Sequence, residues 1–238
     1  MKKRRVLFTV VVLAIILAGF LVSGLIRDLK KETTIKNEMK EITKVFGSEN
    51  INEDNVKTIL ERRLIKKGEY AKVEDSLKLY YKDLYDDYNN VIFLLEEENY
   101  NYFLSSKNIL EDGPSFIKTK NKIQNMKAQM AECYQELDKQ INNESVKISY
   151  VLDKDLSRYY KNFYLDLTEN LIPETIINNL EKKYKEVIKK IDIYNDALDF
   201  LIATKGHWEI RNDVIAFEKT EDFDLYKEII SKLETSES

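Results

Sequence analysis

The chain has 238 residues, 43% hydrophobic and 34% charged, which is too apolar for a disordered polypeptide and long enough to bury a sizeable core. Only 6 Gly and 2 Pro interrupt a sequence rich in Lys, Glu, Leu and Ile, a balance that favours long helices. The net charge is −4, and all 42 acidic side chains follow residue 26, so the body of the chain is acidic and argues against a nucleic-acid partner, which needs a concentrated basic surface.

The N-terminus opens on Lys2, Lys3, Arg4 and Arg5. Residues 6–26 then run without a charge. At about 1.5 Å per residue such a run spans roughly 31 Å, matching a hydrocarbon core of about 30 Å. It predicts a transmembrane signal anchor behind a cytoplasmic basic tail at 1–5. A cleaved signal peptide is the competing reading, with Val22-Ser23-Gly24 as its exit, but its apolar core is shorter. Orientation is contested by charge, because Arg27, Lys30, Lys31, Lys36, Lys40 and Lys44 follow the run. Long domains translocate largely regardless of such charges, which places the domain on the extracytoplasmic side of the cell membrane.

Residues 27–50 read as a helical stalk and linker, and 51–238 as a helical bundle domain. Asn52-Glu53-Asp54 opens a short helix with Val56, Ile59, Leu60 and Leu64 on one face, broken at Lys67-Gly68. Tyr70, Val73, Leu77, Tyr80, Leu84, Tyr88, Val91 and Leu95 alternate steps of three and four, which is one apolar stripe over seven turns. A short segment through Ile109 and Leu110 leads to a turn at Asp112-Gly113-Pro114-Ser115. The stripe resumes with Phe116, Ile123, Met126, Met130, Cys133, Leu137 and Ile141, and again with Leu152, Leu156, Tyr159, Phe163 and Leu167. Pro173 starts the most regular helix, with Ile177, Leu180, Tyr184, Val187, Ile191, Tyr194, Leu198 and Leu201, closed at Lys205-Gly206. Trp208 and Ile210 then alternate with polar residues, as do Ile215 and Phe217 beyond Arg211-Asn212-Asp213. This predicts a small β-hairpin near 208–217. Thr220 caps a last helix. The fold class is therefore all-α: a transmembrane helix, then an antiparallel helical bundle with one C-terminal hairpin.

Chemistry-bearing residues are sparse. His207 is the only histidine and Cys133 the only cysteine, so imidazole-based metal sites, Ser-His-Asp or Cys-His catalysis and an intramolecular disulfide lack their parts. Cys133 falls on an apolar stripe, where a buried inert thiol is expected. Asp83, Asp86 and Asp87, and Glu96, Glu97 and Glu98, form acidic runs that read as solvated helix faces rather than calcium loops. No glycine-rich nucleotide fingerprint occurs. No catalytic residue, cofactor or metal ligand is assigned. The 15 tyrosines mostly fit the boundary layer of a bundle, but Tyr81 and Tyr85 stand beside the core stripe, where they could line a groove. With Trp208 they are the candidate binding residues.

Three stretches together carry a resemblance: Lys67-Gly68-Glu69-Tyr70 through Val73-Glu74 to Asp83-Leu84-Tyr85, Asn108 through Phe116, and Gly206-His207-Trp208-Glu209-Ile210 through Phe217. The chain resembles a group of uncharacterised, single-pass, membrane-anchored helical proteins of low-GC Gram-positive bacteria. That resemblance implies the tethered topology and supplies no functional residues.

The expected function is a non-enzymatic, membrane-tethered interaction or structural module that contacts a protein partner or itself. A ligand-binding sensor or accessory subunit, and a cytoplasmic-facing coiled-coil scaffold, are the alternatives.

Overall fold

The computed structural model describes residues 2–46, 53–96, 99–169 and 171–235; within these, the side chains of 2–21, 45, 46, 53, 55, 99, 234 and 235 lie outside the description. The described chain is mostly helical, with a two-stranded antiparallel hairpin near its C-terminus. No helix among the described residues is long and apolar enough to cross a membrane. The span expected over 6–26 is therefore not shown, and side chains 6–21 of that run lie outside the description. The chain divides into two compact units, Met1–Lys82 with Glu144–Pro173, and Asp83–Asn143 with Glu174–Ser238.

In the first unit, α1 (Lys2–Phe46) is one uninterrupted helix. Its C-terminal half was read as a stalk, yet Ile35, Met39 and Ile42 are buried at steps of four and three. Those residues form a core stripe rather than a free spacer. They share the unit's core with Val56 of α2 (Glu53–Glu61) and with Tyr70, Val73, Leu77, Tyr80 and Tyr81 of α3 (Glu69–Leu95). Gly68, at φ +90°, makes the left-handed turn into α3.

The expected single stripe over 152–167 is corrected to two helices, α6 (Glu144–Leu152) and α7 (Arg158–Thr168). Asp155, at φ +47°, reverses the chain between them. Tertiary hydrogen bonds hold the break: Lys72 Nζ donates to the Asp155 carbonyl at 3.0 Å, and the Ser157 N–H donates to Glu69 at 2.8 Å. Leu152 and Tyr159, both placed on the stripe, are exposed instead.

In the second unit, a 3₁₀ turn (Asn99–Leu104) and α4 (Ser106–Asp112) precede α5 (Ile117–Asn142) and α8 (Glu174–Ala203). The long stripes predict the buried faces well. Ile123, Met126, Met130 and Leu137 of α5 are buried, as are Leu180, Val187, Ile191, Tyr194, Leu198 and Leu201 of α8. Lys127–Asp192, at 2.5 Å, and Lys120–Asp199 join the polar edges of these two helices.

The hairpin pairs β1 (Trp208–Arg211) with β2 (Val214–Phe217) in the register Trp208↔Phe217 and Ile210↔Ile215. Asn212 and Asp213 both adopt positive φ, as a two-residue turn with the twist of its strands requires. A hairpin this short needs outside support. Phe217 meets Phe200 of α8 at 6.1 Å and Tyr226 of α9 (Thr220–Thr235) at 5.3 Å between ring centroids.

Candidate functional site

Trp208 stands at the start of the hairpin, half-buried. Its indole Nε1 donates to the Leu201 carbonyl at 2.8 Å, and its ring stacks on Phe116 with centroids 6.3 Å apart. The C-terminal carbonyls of a helix lack intrahelical donors, and the indole satisfies one of them in α8. Tyr81 and Tyr85 are buried, 1% and 7% exposed, so neither lines an open groove. The Tyr81 hydroxyl donates to the Ile42 carbonyl at 2.9 Å, joining α3 to α1 within the first unit.

His207 Nδ1 lies 3.4 Å from Asp222 Oδ2 in the first turn of α9, without a hydrogen bond between them. Cys133 is half-buried rather than fully buried. Burial and the nearby Glu132 and Asp87 carboxylates push its thiol up, away from the reactive thiolate. Of the acidic runs, Glu96 bridges Lys183 at 2.9 Å. Burial, with Asp83, Glu136 and Asp86 beside it, raises the Asp87 carboxyl. Glu97 and Glu98 lie outside the described residues. Among the described residues no group of three or more His, Cys, Asp and Glu is placed to hold a metal ion.

Among the described residues, the second unit forms two open clefts of note. The first, about 170 Å³, is polar and is built around the turn between α4 and α5. Its floor is Asn108 and Thr119, both buried. The Asn108 side-chain amide donates to the Phe103 carbonyl at 2.8 Å, and the Thr119 hydroxyl lies 3.1 Å from Asn108 Oδ1 and 2.8 Å from Asp112 Oδ2. Asp112 also accepts from the Thr119 N–H at 2.7 Å and so caps α5. Burial works to raise the Asp112 carboxyl, but the hydrogen bonds from Thr119 and Lys118 outweigh it and hold it below the usual carboxylate range. Gly113 is required here because a Cβ would stand 2.4 Å from the Ile109 carbonyl oxygen. Lys118 and Lys122 are exposed on the rim, Lys122 lying 5.9 Å from the centroid of the Phe103 ring.

The second cleft, about 310 Å³, is apolar and wider. Ile210, Ile215, Phe223 and Tyr226 line it, with Ser106 and Asp213 at one edge. Burial pushes the Tyr226 hydroxyl up to about 12. Val214 and Phe223 expose 61% and 47% of their surface beside it.

The first unit holds two polar clusters that sequence reasoning missed. Glu38 and Glu74 are each 1% exposed. Lys78 bridges both, at 3.3 and 2.8 Å, and Arg62 reaches Glu38 at 3.3 Å and Glu41 at 2.9 Å. Glu74 also accepts from the backbone N–H groups of Leu64 and Ile65 at 2.8 and 2.7 Å, fixing the irregular segment between α2 and α3. In the second cluster, the hydroxyls of Tyr70 and Tyr159 both donate to Glu32 Oε1. Tyr160 packs edge-on against Tyr70 at 4.7 Å, and Lys31 lies over the Tyr70 ring at 5.3 Å. Burial raises the Tyr70 hydroxyl, and Glu32 adds to that shift. No sequence signal joins these partners, because Glu32 and Tyr159 are 127 residues apart.

Comparison of the chain with protein-family models, with curated proteins and with solved structures finds no match in any of the three.

Proposed function

We infer that the chain is a non-enzymatic helical module, tethered to the cell membrane through residues 6–26 and acting outside the cytoplasm by contact with a protein partner or a second copy of itself. The observation that carries this reading is the continuity of α1. The helix that includes the uncharged run also supplies Ile35, Met39 and Ile42 to the core of the first unit. The proposed tether and the first unit therefore share one continuous helix between residues 26 and 46. The surroundings of Cys133 support a non-catalytic role: burial and the nearby Glu132 and Asp87 carboxylates push its thiol up. The exposed Val214 and Phe223 beside an open apolar cleft support a contact surface.

The test is protease added to intact bacterial protoplasts expressing the full chain. Loss of the C-terminal region in intact protoplasts is expected. Protection until lysis would reverse the orientation and favour the cytoplasmic scaffold.

The polar cleft favours a second reading, a ligand-binding sensor or accessory subunit, because its converging amide, hydroxyl, carboxylate and lysine groups suit a small polar molecule. Thermal stabilisation of the full chain by a metabolite panel, abolished by Lys122→Glu, would select that reading over the first.

A further inference from the structure

The end of the first unit that receives α1 carries an aromatic and basic collar a short way beyond the end of the uncharged run. Val22, Leu25, Ile26 and Leu29 of α1 are each at least half exposed, so nothing among the described residues covers these last turns of the apolar run. Glu32 stands six residues beyond Ile26, about 9 Å along the helix axis. The polar headgroup layer on each side of a bilayer is roughly 5–8 Å deep. Glu32 is where the N-terminal ends of α3 and α7 converge, through Tyr70 and Tyr159. Tyr159 keeps 56% of its surface exposed there, with one face on Glu32 and Tyr160 and the rest open. Amphipathic rings at this level are the anchors of membrane interfaces.

Charge points the same way. Arg27, Lys30, Lys66, Lys67 and Arg158 are exposed at this end, on a chain whose body is acidic. Three of the acids there are already engaged: Asp28 by Lys31 at 3.1 Å, Glu32 by the two phenols, and Glu69 by the Ser157 N–H. Glu32 and Glu69 keep their charge in these hydrogen bonds, and Asp153 and Asp155 are exposed beside Arg158, so the five exposed cations outnumber these four acids only narrowly.

We propose that this collar, Tyr159 with Arg27, Lys30, Lys66, Lys67 and Arg158, seats the first unit on anionic lipid headgroups, fixing the module against the membrane surface rather than letting it sway on its tether. The inference rests on the tether proposed above. An anionic leaflet attracts each juxtamembrane Lys or Arg strongly enough to favour surface contact by about fivefold.

The experiment uses the full chain reconstituted into phosphatidylcholine vesicles with and without phosphatidylglycerol. Ser157→Cys on a Cys133→Ser background carries an environment-sensitive fluorophore at the collar; the Ser157 side chain makes no capping bond. Lys44→Cys carries it near the other end of α1. Quenching by acrylamide, which is uncharged, reports water access. The collar label should lose several-fold in quenching when phosphatidylglycerol is present, the Lys44→Cys label should not change, and Arg158→Glu should diminish the effect. A chain that floats with the vesicles but whose collar label stays equally quenched in both lipids overturns the collar and leaves the tether standing. A chain that is stripped from the vesicles by an alkaline wash overturns both.

Discussion

The Trp208 indole N–H donates to the Leu201 carbonyl at 2.8 Å, so the first residue of the hairpin closes the end of the helix before it. The same ring stacks on Phe116, whose side chain is fully buried. Trp208→Ala removes both contacts and should lower stability by about 3 kcal/mol, the low end for a truncated core aromatic, because the ring is only half-buried. Trp208→Phe keeps the stacking and loses the donor, at about 1 kcal/mol. Trp208 is the sole tryptophan, so its emission reports the site directly. A blue-shifted maximum is expected, whereas a water-like maximum with an unchanged melting temperature for Trp208→Ala would place the ring on a binding surface.

Two buried tyrosines of the first unit carry opposite expectations. The Tyr81 hydroxyl donates to Ile42, while the Tyr164 hydroxyl, on a side chain 0% exposed, meets no protein partner among the described residues. Burying a hydroxyl without a hydrogen bond costs about 1–3 kcal/mol. Tyr164→Phe should therefore be neutral or stabilising, and Tyr81→Phe destabilising by about 1 kcal/mol. Equal losses from both substitutions, measured by chemical denaturation of the full chain in detergent, would contradict this assignment.

Glu74 fixes the segment between α2 and α3 with two backbone hydrogen bonds and an ion pair to Lys78. Glu74→Ala leaves two N–H groups without their acceptor and removes the nearer of the two carboxylates that Lys78 bridges, Glu38 remaining at 3.3 Å. Breaking a buried pair from one side costs about 3–5 kcal/mol. Replacing Glu74 and Lys78 together with apolar residues should recover part of that loss. If the double variant is no better than Glu74→Ala, the buried ammonium is not the source of the cost.

Glu38 gives the fold a pH dependence of defined sign. Burial raises its carboxyl above the ordinary 4.5, against the pull of Lys78 and Arg62, and Glu74 adds to the rise. The neutral acid is therefore favoured in the folded state. Its contribution is complete below 4.5 and is lost as pH rises through the folded value. Glu38→Gln cannot titrate, so the stability of the variant minus that of the parent should grow as pH rises from about 4 to 7. A difference that shrinks over the same interval would mean that the ion pairs dominate burial.

Local pattern made most of the helices and the hairpin legible, and tertiary contacts account for what was not. Alternation of Trp208, Ile210, Ile215 and Phe217 about Asn212-Asp213 located the hairpin because strand period and turn chemistry are both local. The break at Asp155 was hidden, since Leu152, Leu156 and Tyr159 keep helical spacing across it. Beyond the break, the N–H of Ser157, which precedes α7, donates to Glu69, 88 residues away, a contact that no helical spacing encodes. Tyr81 and Tyr85 were placed beside a single stripe, but α3 is buried on more than one face, and that depends on neighbours no helical period encodes.

The candidate surfaces were less legible still. Glu38, Glu74 and Lys78 carry no signal of burial in the sequence, and ion pairs through Lys78 join both carboxylates in the first unit's interior. The polar cleft needs Asn108 and Thr119 brought together across the turn at Gly113 and Pro114; the turn itself was legible, the cleft behind it was not. The collar depends on α1, α3 and α7 meeting at Glu32.

The central claim, that residues 6–26 hold this module on a membrane, is tested most directly by fractionating cells that express the full chain and washing the membranes with alkaline carbonate. The account predicts that the intact chain, at its full 28.1 kDa, remains in the membrane pellet and leaves it only with detergent. Recovery of the chain in the soluble fraction, or of a shortened product lacking the N-terminal run, would contradict it.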